Sequence, residues 1–143
     1  MPPDLAILSR EDVARFLSLD ACIEAVRHAF TKYGRGEIAA PGVLGMHAPH
    51  GGFHIKAALW SQDGHSYFAA KTNANFPQNP VRHALPTIQG LLLLFDADDG
   101  RPLAIMDSVE ITVLRTAAAT AVAAENLARK DAETVTVCGC GVQ

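Results

Sequence analysis

The chain has 143 residues, which is enough for one domain with a substantial hydrophobic core. Its hydrophobic fraction of 49% and charged fraction of 19% are ordinary for a soluble globular protein. The net charge of −3 gives no electrostatic case for binding nucleic acid or an anionic membrane, and no apolar run of about 18 residues predicts a membrane span.

The cysteines and the N-terminus favour a reducing cytoplasm. Residues 1–4 lack a basic segment followed by an apolar one, so no signal peptide is expected. The three cysteines do not form a disulfide framework, and two of them, Cys138 and Cys140, share one glycine turn. Two thiols are half of a tetrahedral zinc site, so small residues at a tight turn are the preferred interpretation. We therefore expect a cytoplasmic protein.

The N-terminal part predicts two helices that serve only as packing elements. Ser9 is a typical helix cap, and acidic side chains follow it in the first turn. A second helix is expected to begin near Ser18 and to end at the glycines 34 and 36.

From Pro41 onward the hydrophobic period is typical of strands. Strands are predicted at residues 41–46, 53–60, 67–72, 90–95 and 102–106. The second and third of them form a hairpin whose loop is predicted to be longer than the tightest types. The leucine-rich strand 90–95 is predicted to be buried on both faces. Residues 76–86, rich in proline and asparagine, predict a loop too long to be a mere connector.

An alanine-rich segment, residues 112–129, predicts one long helix. Arg115 would lie in its first turn, where a cation opposes the helix dipole unless an anion is bound there. Pairing of Arg115 with Asp107 or Glu110 is an equally good explanation.

The last residues predict the start of a second domain. Residues 133–138 alternate as in a strand and run into Gly139 and Gly141, as at the opening of a dinucleotide-binding turn. The fold class is therefore α+β: helices, a mostly antiparallel sheet and a long helix in residues 1–130, then the beginning of a Rossmann domain in residues 131–143.

Basic side chains on two neighbouring strands are the first candidates for chemistry. His54 and Lys56 share one strand face, and if Trp60 pairs near Tyr67, then Lys56 lies opposite Lys71. Two ammonium groups side by side repel each other unless an anion such as a carboxylate sits between them. Two solvated lysines on an exposed face remain the alternative.

Histidines at positions 47, 50 and 54 could suggest a metal site. A turn separates the second from the third, and no carboxylate accompanies them, so no metal is predicted.

Several motifs resemble the ornithine cyclodeaminase/mu-crystallin family from about Leu8 to the last residue. They are Lys71, Asn73, Phe76-Pro77, Leu85-Pro86-Thr87, Asp107, Arg115-Thr116-Ala117, and the glycines of Gly139-x-Gly141-x-Gln143. The resemblance implies a homodimer formed through the sheet, NAD or NADP as cofactor, and hydride exchange at the α-carbon of a small amino or imino acid. Its members cyclise ornithine to proline, oxidise an amino acid such as alanine, or reduce a cyclic ketimine. Family chains continue through a complete nucleotide-binding domain, so this chain is similar to the first part of such an enzyme.

The resemblance also implies roles for individual residues. Lys71 would contact the substrate near the reacting carbon and act in catalysis, and Arg115 would contact both the cofactor phosphate and the substrate carboxylate. Other cofactor contacts would come from Thr87, Thr116, Gly139, Gly141, Val142 and Gln143. An arginine common in the family near strand 53–60 is missing, and His54 and Lys56 occupy that region as candidate substrate contacts. Ala84 stands where glycine is common.

Two functions follow from these observations. The first is a nicotinamide-dependent oxidoreductase or cyclodeaminase, of which the 143-residue chain alone is expected to be inactive. The second is a catalytically inactive fragment or dimerisation module that lacks the nucleotide-binding domain.

Overall fold

The computed structural model describes residues 5–139 as an α+β fold, as predicted, with one six-stranded mixed sheet and four helices. In chain order the elements are β1 (Ala6–Leu8), α1 (Arg10–Phe16), α2 (Leu19–Gly34), β2 (Gly42–Ala48), β3 (Gly51–Gln62), β4 (His65–Asn75), α3 (Asn79–His83), β5 (Ile88–Asp96), β6 (Pro102–Asp107) and α4 (Val109–Leu127). Within the described residues, no helix is both long enough and apolar enough to cross a membrane.

The caps of the first two helices confirm their predicted starts. Ser9 and Asp12 form a reciprocal capping box: Ser9 Oγ accepts from the Asp12 N–H at 3.2 Å, and Asp12 Oδ2 accepts from the Ser9 N–H at 3.0 Å. The hydroxyl of Ser18 accepts from the Ala21 N–H at 3.2 Å and begins α2.

The sheet order is β1-β6-β5-β4-β3-β2, and only the short β1, which the sequence did not predict, runs parallel to its neighbour. In the β3–β4 hairpin Trp60 pairs with Tyr67, and Lys56 therefore lies opposite Lys71, as predicted. The predicted long hairpin loop is wrong. Only Asp63 and Gly64 connect the strands, and both have positive φ (52° and 81°), the conformation that lets a two-residue turn follow the strand twist.

The two faces of the sheet have different environments. Helices cover the face that carries Lys71, Asn73 and Ala104, whereas the opposite face is open within one chain. Large apolar side chains on the open face are exposed, namely Leu44, Met46, Phe53, Leu59 and Leu91. The prediction that β5 is buried on both faces is therefore wrong for the single chain, because Leu91 is 51% exposed.

The loop between β4 and β5 contains the short helix α3. The helix ends at Ala84, whose φ of 52° and ψ of 33° are left-handed. A Cβ disfavours this conformation, which explains physically why glycine suits the position.

The C-terminal elements differ from the prediction in two ways. Helix α4 begins at Val109 rather than at residue 112, because Asp107 Oδ1 accepts from the Val109 N–H at 2.8 Å and supports an earlier first turn. Residues 133–138 form no strand, because none of the described strands lies beside them to complete the hydrogen bonding. The side chains of Val135 and Val137 are accordingly 88% and 79% exposed. The division into domains at residues 130 and 131 stays a prediction.

Candidate active site

Three cationic side chains line one cleft of about 220 Å³ between the sheet and α4. Lys56 and Lys71 are cross-strand neighbours on β3 and β4, and Arg115 reaches the cleft from the helix above them. The rest of the lining is apolar, namely Pro41, Ala57, Ala58, Ala69, Leu92 and Ile111. The hairpin register brings the two lysines together, and the helix adds the third positive charge.

Lys71 has the most perturbed environment of the three. Its partial burial, followed by the charges of Arg115 and Lys56, lowers the pKa of its amino group from 10.5 to about 8. Its Nζ donates a hydrogen bond to Thr112 Oγ1 at 3.2 Å. An amine with a pKa near neutrality can release a proton far more readily than a free lysine.

Arg115 has no acidic partner within residues 5–139. The predicted alternative, a pair with Asp107 or Glu110, is wrong because both carboxylates are engaged elsewhere. Asp107 Oδ1 accepts from the Val109 N–H at the start of α4, and Glu110 forms an ion pair at 2.5 Å with Arg10. The dipole explanation for Arg115 is also wrong, since the earlier start of α4 places it at the seventh helical residue, beyond the first turn. The Arg115 guanidinium is therefore available to bind an anion because no described carboxylate pairs with it. Its position in the helix does not explain this.

A second cleft, of about 340 Å³, contains Thr87. Asn73 and Thr112 also line it, so the Lys71–Thr112 hydrogen bond joins the two clefts. This volume is at the low end for small-molecule sites and is too small for a whole dinucleotide. Thr87 lies in this cleft, which can hold at most part of a ligand of that size.

The remaining predicted site residues are not gathered into these clefts. His54 is exposed and lies two residue pairs from the lysines, opposite Asn73 on the same sheet face. Thr116 Oγ1 donates to the carbonyl of Thr112 at 2.6 Å, a bond within its own helix. Gly139 has a φ of 99°, which glycine tolerates best. Gly141, Val142 and Gln143 lie outside the described residues.

Two contributors to the site, Ser108 and Thr112, were not predicted. Both are buried, and both connect to Asn73 through side-chain hydrogen bonds. The sequence does contain a signal for them, because hydroxyl residues recur at a spacing of four, at positions 108, 112, 116 and 120. That spacing places them on one face of a helix.

No three histidine, cysteine or carboxylate side chains converge as metal ligands anywhere in the described part of the chain. Histidines 47, 50 and 54 are spread over two strands and the turn between them.

A family model for ornithine cyclodeaminase/mu-crystallin proteins matches residues 4–143. The chain belongs to the ornithine cyclodeaminase/mu-crystallin family. Among its curated relatives, the alanine dehydrogenase of Archaeoglobus fulgidus is 34% identical over 96% of this chain and 41% of its own length. The L-lysine cyclodeaminase of Streptomyces rapamycinicus is 32% identical over 96% of this chain and 42% of its own length. The chain therefore spans about two-fifths of the length of these relatives.

Solved structures of family members have the same fold. An archaeal alanine dehydrogenase dimer with bound NAD superimposes with a TM-score of 0.81 and 35% identity, over 89% of this chain and 38% of the other. A Thermococcus litoralis Δ1-pyrroline-2-carboxylate reductase in complex with NADH and L-proline gives a TM-score of 0.77 and 30% identity, over 89% and 39%. These complexes support NAD or NADP as the cofactor class.

Proposed function

We propose that this chain forms the substrate-binding part of an NAD(P)-dependent enzyme that acts at the α-carbon of a small amino or imino acid. The observation that carries the proposal is the convergence of Lys56, Lys71 and Arg115 in one cleft. Arg115 and the two lysines form no ion pair with a carboxylate of residues 5–139. Like charges that line one cleft disfavour each other's charged form, and a bound anion would offset that cost.

The chemistry of the cleft selects the anion. A carboxylate satisfies a guanidinium fork and ammonium groups at the same time. The apolar residues beside the cations, among them Ala69, Leu92 and Ile111, suit a short aliphatic body rather than a second charge. A small amino or imino acid combines these two features. Two relatives, an alanine dehydrogenase and an L-lysine cyclodeaminase, are named for substrates of the same class.

In the proposed reaction the side chains of this chain orient the substrate and transfer one proton. Arg115 and Lys56 hold the carboxylate, and Lys71 places its Nζ near the substrate nitrogen, where it donates or accepts a proton. Thr87 lies in the adjoining cleft as a contact for the cofactor. When bound, NAD(P) supplies the hydride exchange at the α-carbon.

The open face of the sheet supports a homodimer as the functional unit. Exposed residues there, including Leu44, Leu59 and Leu91, form an apolar surface that a single chain leaves in water. A second copy that packs the same face would cover it in a symmetric contact. The similar archaeal alanine dehydrogenase is a dimer. An inactive dimerisation module would use the same surface, but it would have no need of the unpaired cations in the cleft.

The test is turnover by the whole gene product. We expect NAD(P)H to be oxidised with a small cyclic imino acid, or NAD(P)+ to be reduced with a small amino acid. Lys71→Ala is expected to lower kcat/KM at least ~100-fold with the fold intact. Lys71→Arg is expected not to restore activity, because a guanidinium keeps its proton near neutral pH. Lys130→Ala, at an exposed lysine outside the clefts, is the control.

If no small amino or imino acid is turned over when NAD(P)+ or NAD(P)H is supplied, the result would contradict the proposed enzyme activity and favour the dimerisation module. Full activity in Lys71→Ala would show that the site is misplaced. Full activity in Lys71→Arg would restrict Lys71 to an electrostatic role.

A further inference from the structure

A chain of hydrogen bonds leads from the buried end of α4 to the amino group of Lys71. The Ser108 hydroxyl donates to Asn73 Oδ1 at 2.8 Å, and Asn73 Nδ2 donates to Thr112 Oγ1 at 3.4 Å. The same Thr112 oxygen accepts from Lys71 Nζ at 3.2 Å. Ser108 is fully buried and Thr112 is 7% exposed, so the two hydroxyl groups on α4 are largely shielded from water, whereas Asn73 is half-buried where it lines the second cleft.

Backbone contacts fix the far end of this chain. The Ser108 N–H donates to the Gly90 carbonyl at 3.0 Å, which anchors the start of α4 on β5. A Cβ at Gly90 would lie 2.5 Å from Asn73 Oδ1 and 2.7 Å from Ser108 Oγ, which is closer than real Cβ contacts. The strand thus passes directly against the Ser108–Asn73 bond and leaves its two side chains little room to move.

Lys71 needs such an anchor because its neighbours repel it. Arg115 and Lys56 both carry positive charge beside it, and the lysine stem has four flexible carbons. Without an acceptor, the ammonium would turn away from these charges toward water. The Thr112 oxygen is the described acceptor that holds it at the junction of the two clefts.

We propose that Ser108, Asn73 and Thr112 form a positioning relay that holds the Lys71 amino group where it exchanges a proton with the substrate. This inference rests on the proposed function and assigns it three further residues, none of which need touch the reacting atoms. Proton transfer requires the donor within hydrogen-bond reach, and a displacement of about 1 Å can cost ~100-fold in rate.

The first experiment compares three variants of the whole gene product. Thr112→Val removes the hydroxyl and keeps the shape, Thr112→Ser keeps the hydroxyl, and Thr120→Val makes the same change on the same helix. Among the described residues, the Thr120 hydroxyl donates to the Thr116 carbonyl of its own helix at 3.1 Å and makes no hydrogen bond to Lys71 or Asn73, so it serves as a matched control.

We expect Thr112→Val to lower kcat at least ~10-fold. The basic limb of its pH–rate profile should move to lower pH, because an oxygen that stabilised the ammonium is lost. Thr112→Ser should restore both quantities, and Thr120→Val should change neither. If Thr112→Val has the wild-type kcat and the basic limb of its pH–rate profile stays at the same pH, the relay is overturned.

The second experiment reads Lys71 without any turnover. Competitive amine labelling, followed peptide by peptide by mass spectrometry across pH, measures when Lys71 loses its proton. Thr112→Val should move that transition to lower pH. Asn73→Asp should move it to higher pH, because a negative carboxylate then lies close to the Lys71 ammonium, on the other side of the Thr112 hydroxyl, and favours its charged form.

The two experiments separate the possible failures. A gene product that turns over no substrate, yet shows both labelling shifts, contradicts the proposed function and leaves the relay supported. If the gene product turns over substrate but the labelling transition of Lys71 stays at wild-type pH in both Thr112→Val and Asn73→Asp, the relay is overturned and the proposed function stands. Thr112 is then only a packing residue. If Thr112→Val does not fold, the relay is tested with Thr112→Ser and Asn73→Asp instead. A labelling transition of Lys71 that stays at wild-type pH in Asn73→Asp overturns the relay.

Discussion

Replacement of Lys71 by methionine tests the electrostatics of the cleft through protein stability. The folded chain holds the ammonium half-buried beside Arg115 and Lys56, which lowers its pKa from 10.5 to about 8. Below pH 8 Lys71 is charged in both states, but only the folded state has to hold that charge half-buried beside two other cations. The resulting loss in the free energy of unfolding is therefore fully present below pH 8. Between about 8 and 10.5 the folded state releases its proton first, so the free energy of unfolding rises with pH.

The magnitude follows from the same pKa. The gap between 10.5 and about 8, at 1.36 kcal/mol per pKa unit, sets a ceiling of about 3.4 kcal/mol. Because the amino group is still partly in water, solvent screening reduces this to about 1–2 kcal/mol. Methionine keeps the length of the side chain and removes the charge, so the variant should lack this pH-dependent gain.

Urea unfolding at a series of pH values from 7 to 10.5, followed by the fluorescence of the single tryptophan, measures the effect. Protein concentration is kept constant so that any association cancels. The free energy of unfolding of the wild type should rise relative to that of Lys71→Met by about 1–2 kcal/mol over this range. The lost hydrogen bond to Thr112 is a constant offset and cancels in this comparison, and Lys130→Met should follow the wild type. A difference between wild type and Lys71→Met that does not change with pH would refute the reasoning.

Three other predictions concern the loop, the open sheet face and the cofactor. Ala84→Gly should raise the free energy of unfolding by about 0.5–1 kcal/mol, since it removes a Cβ from a left-handed position; destabilisation on urea unfolding would contradict this. Leu59→Lys on the open face should convert the homodimer of the whole gene product to a monomer in sedimentation at micromolar concentration, whereas Phe16→Lys, an equally exposed apolar site on α1, should not. The 143-residue chain alone should bind NAD(H) or NADP(H) no more tightly than about millimolar, and micromolar binding in a calorimetric titration would be inconsistent with this.

Local signals in the sequence predicted those elements that depend on local interactions. Ser9 and Ser18 satisfy the first N–H groups of their own helices, so their positions are visible without any tertiary structure. The pairing of Lys56 with Lys71 was predictable once Trp60 was paired with Tyr67, because side chains alternate strictly along two strands.

The errors arose where distant residues decide the structure. Residues 133–138 have the composition of a strand, yet a strand requires a hydrogen-bonding neighbour, and none is present among residues 5–139. Two errors are exceptions, because their signals are local. The start of α4 was placed too late because Asp107, which accepts from the Val109 N–H, was overlooked, and the role expected for Arg115 in the first turn was lost with it. The Asp63-Gly64 turn was missed although that dipeptide is itself a strong signal for a tight hairpin.

The partners of Lys71 were also beyond local signals. Thr112 and Ser108 reach Asn73 only after the helix packs on the sheet, across 39 and 35 residues of sequence. Their spacing of four marks a helix face, but nothing in that spacing says which strand the face will meet.

The central claim, that Lys71 is a substrate-facing acid in a carboxylate site, is tested most directly by titration of its amino group with and without ligand. Nuclear magnetic resonance of lysine side chains in the whole gene product, with Lys71 assigned by its loss in Lys71→Arg, measures the pKa. We expect a pKa near 8 in the free protein, and a higher pKa when L-proline binds, because the carboxylate favours the charged amine. L-Prolinamide, which lacks the carboxylate, should leave the pKa unchanged. A free-protein pKa near 10.5, or an equal rise with the amide, would contradict the claim.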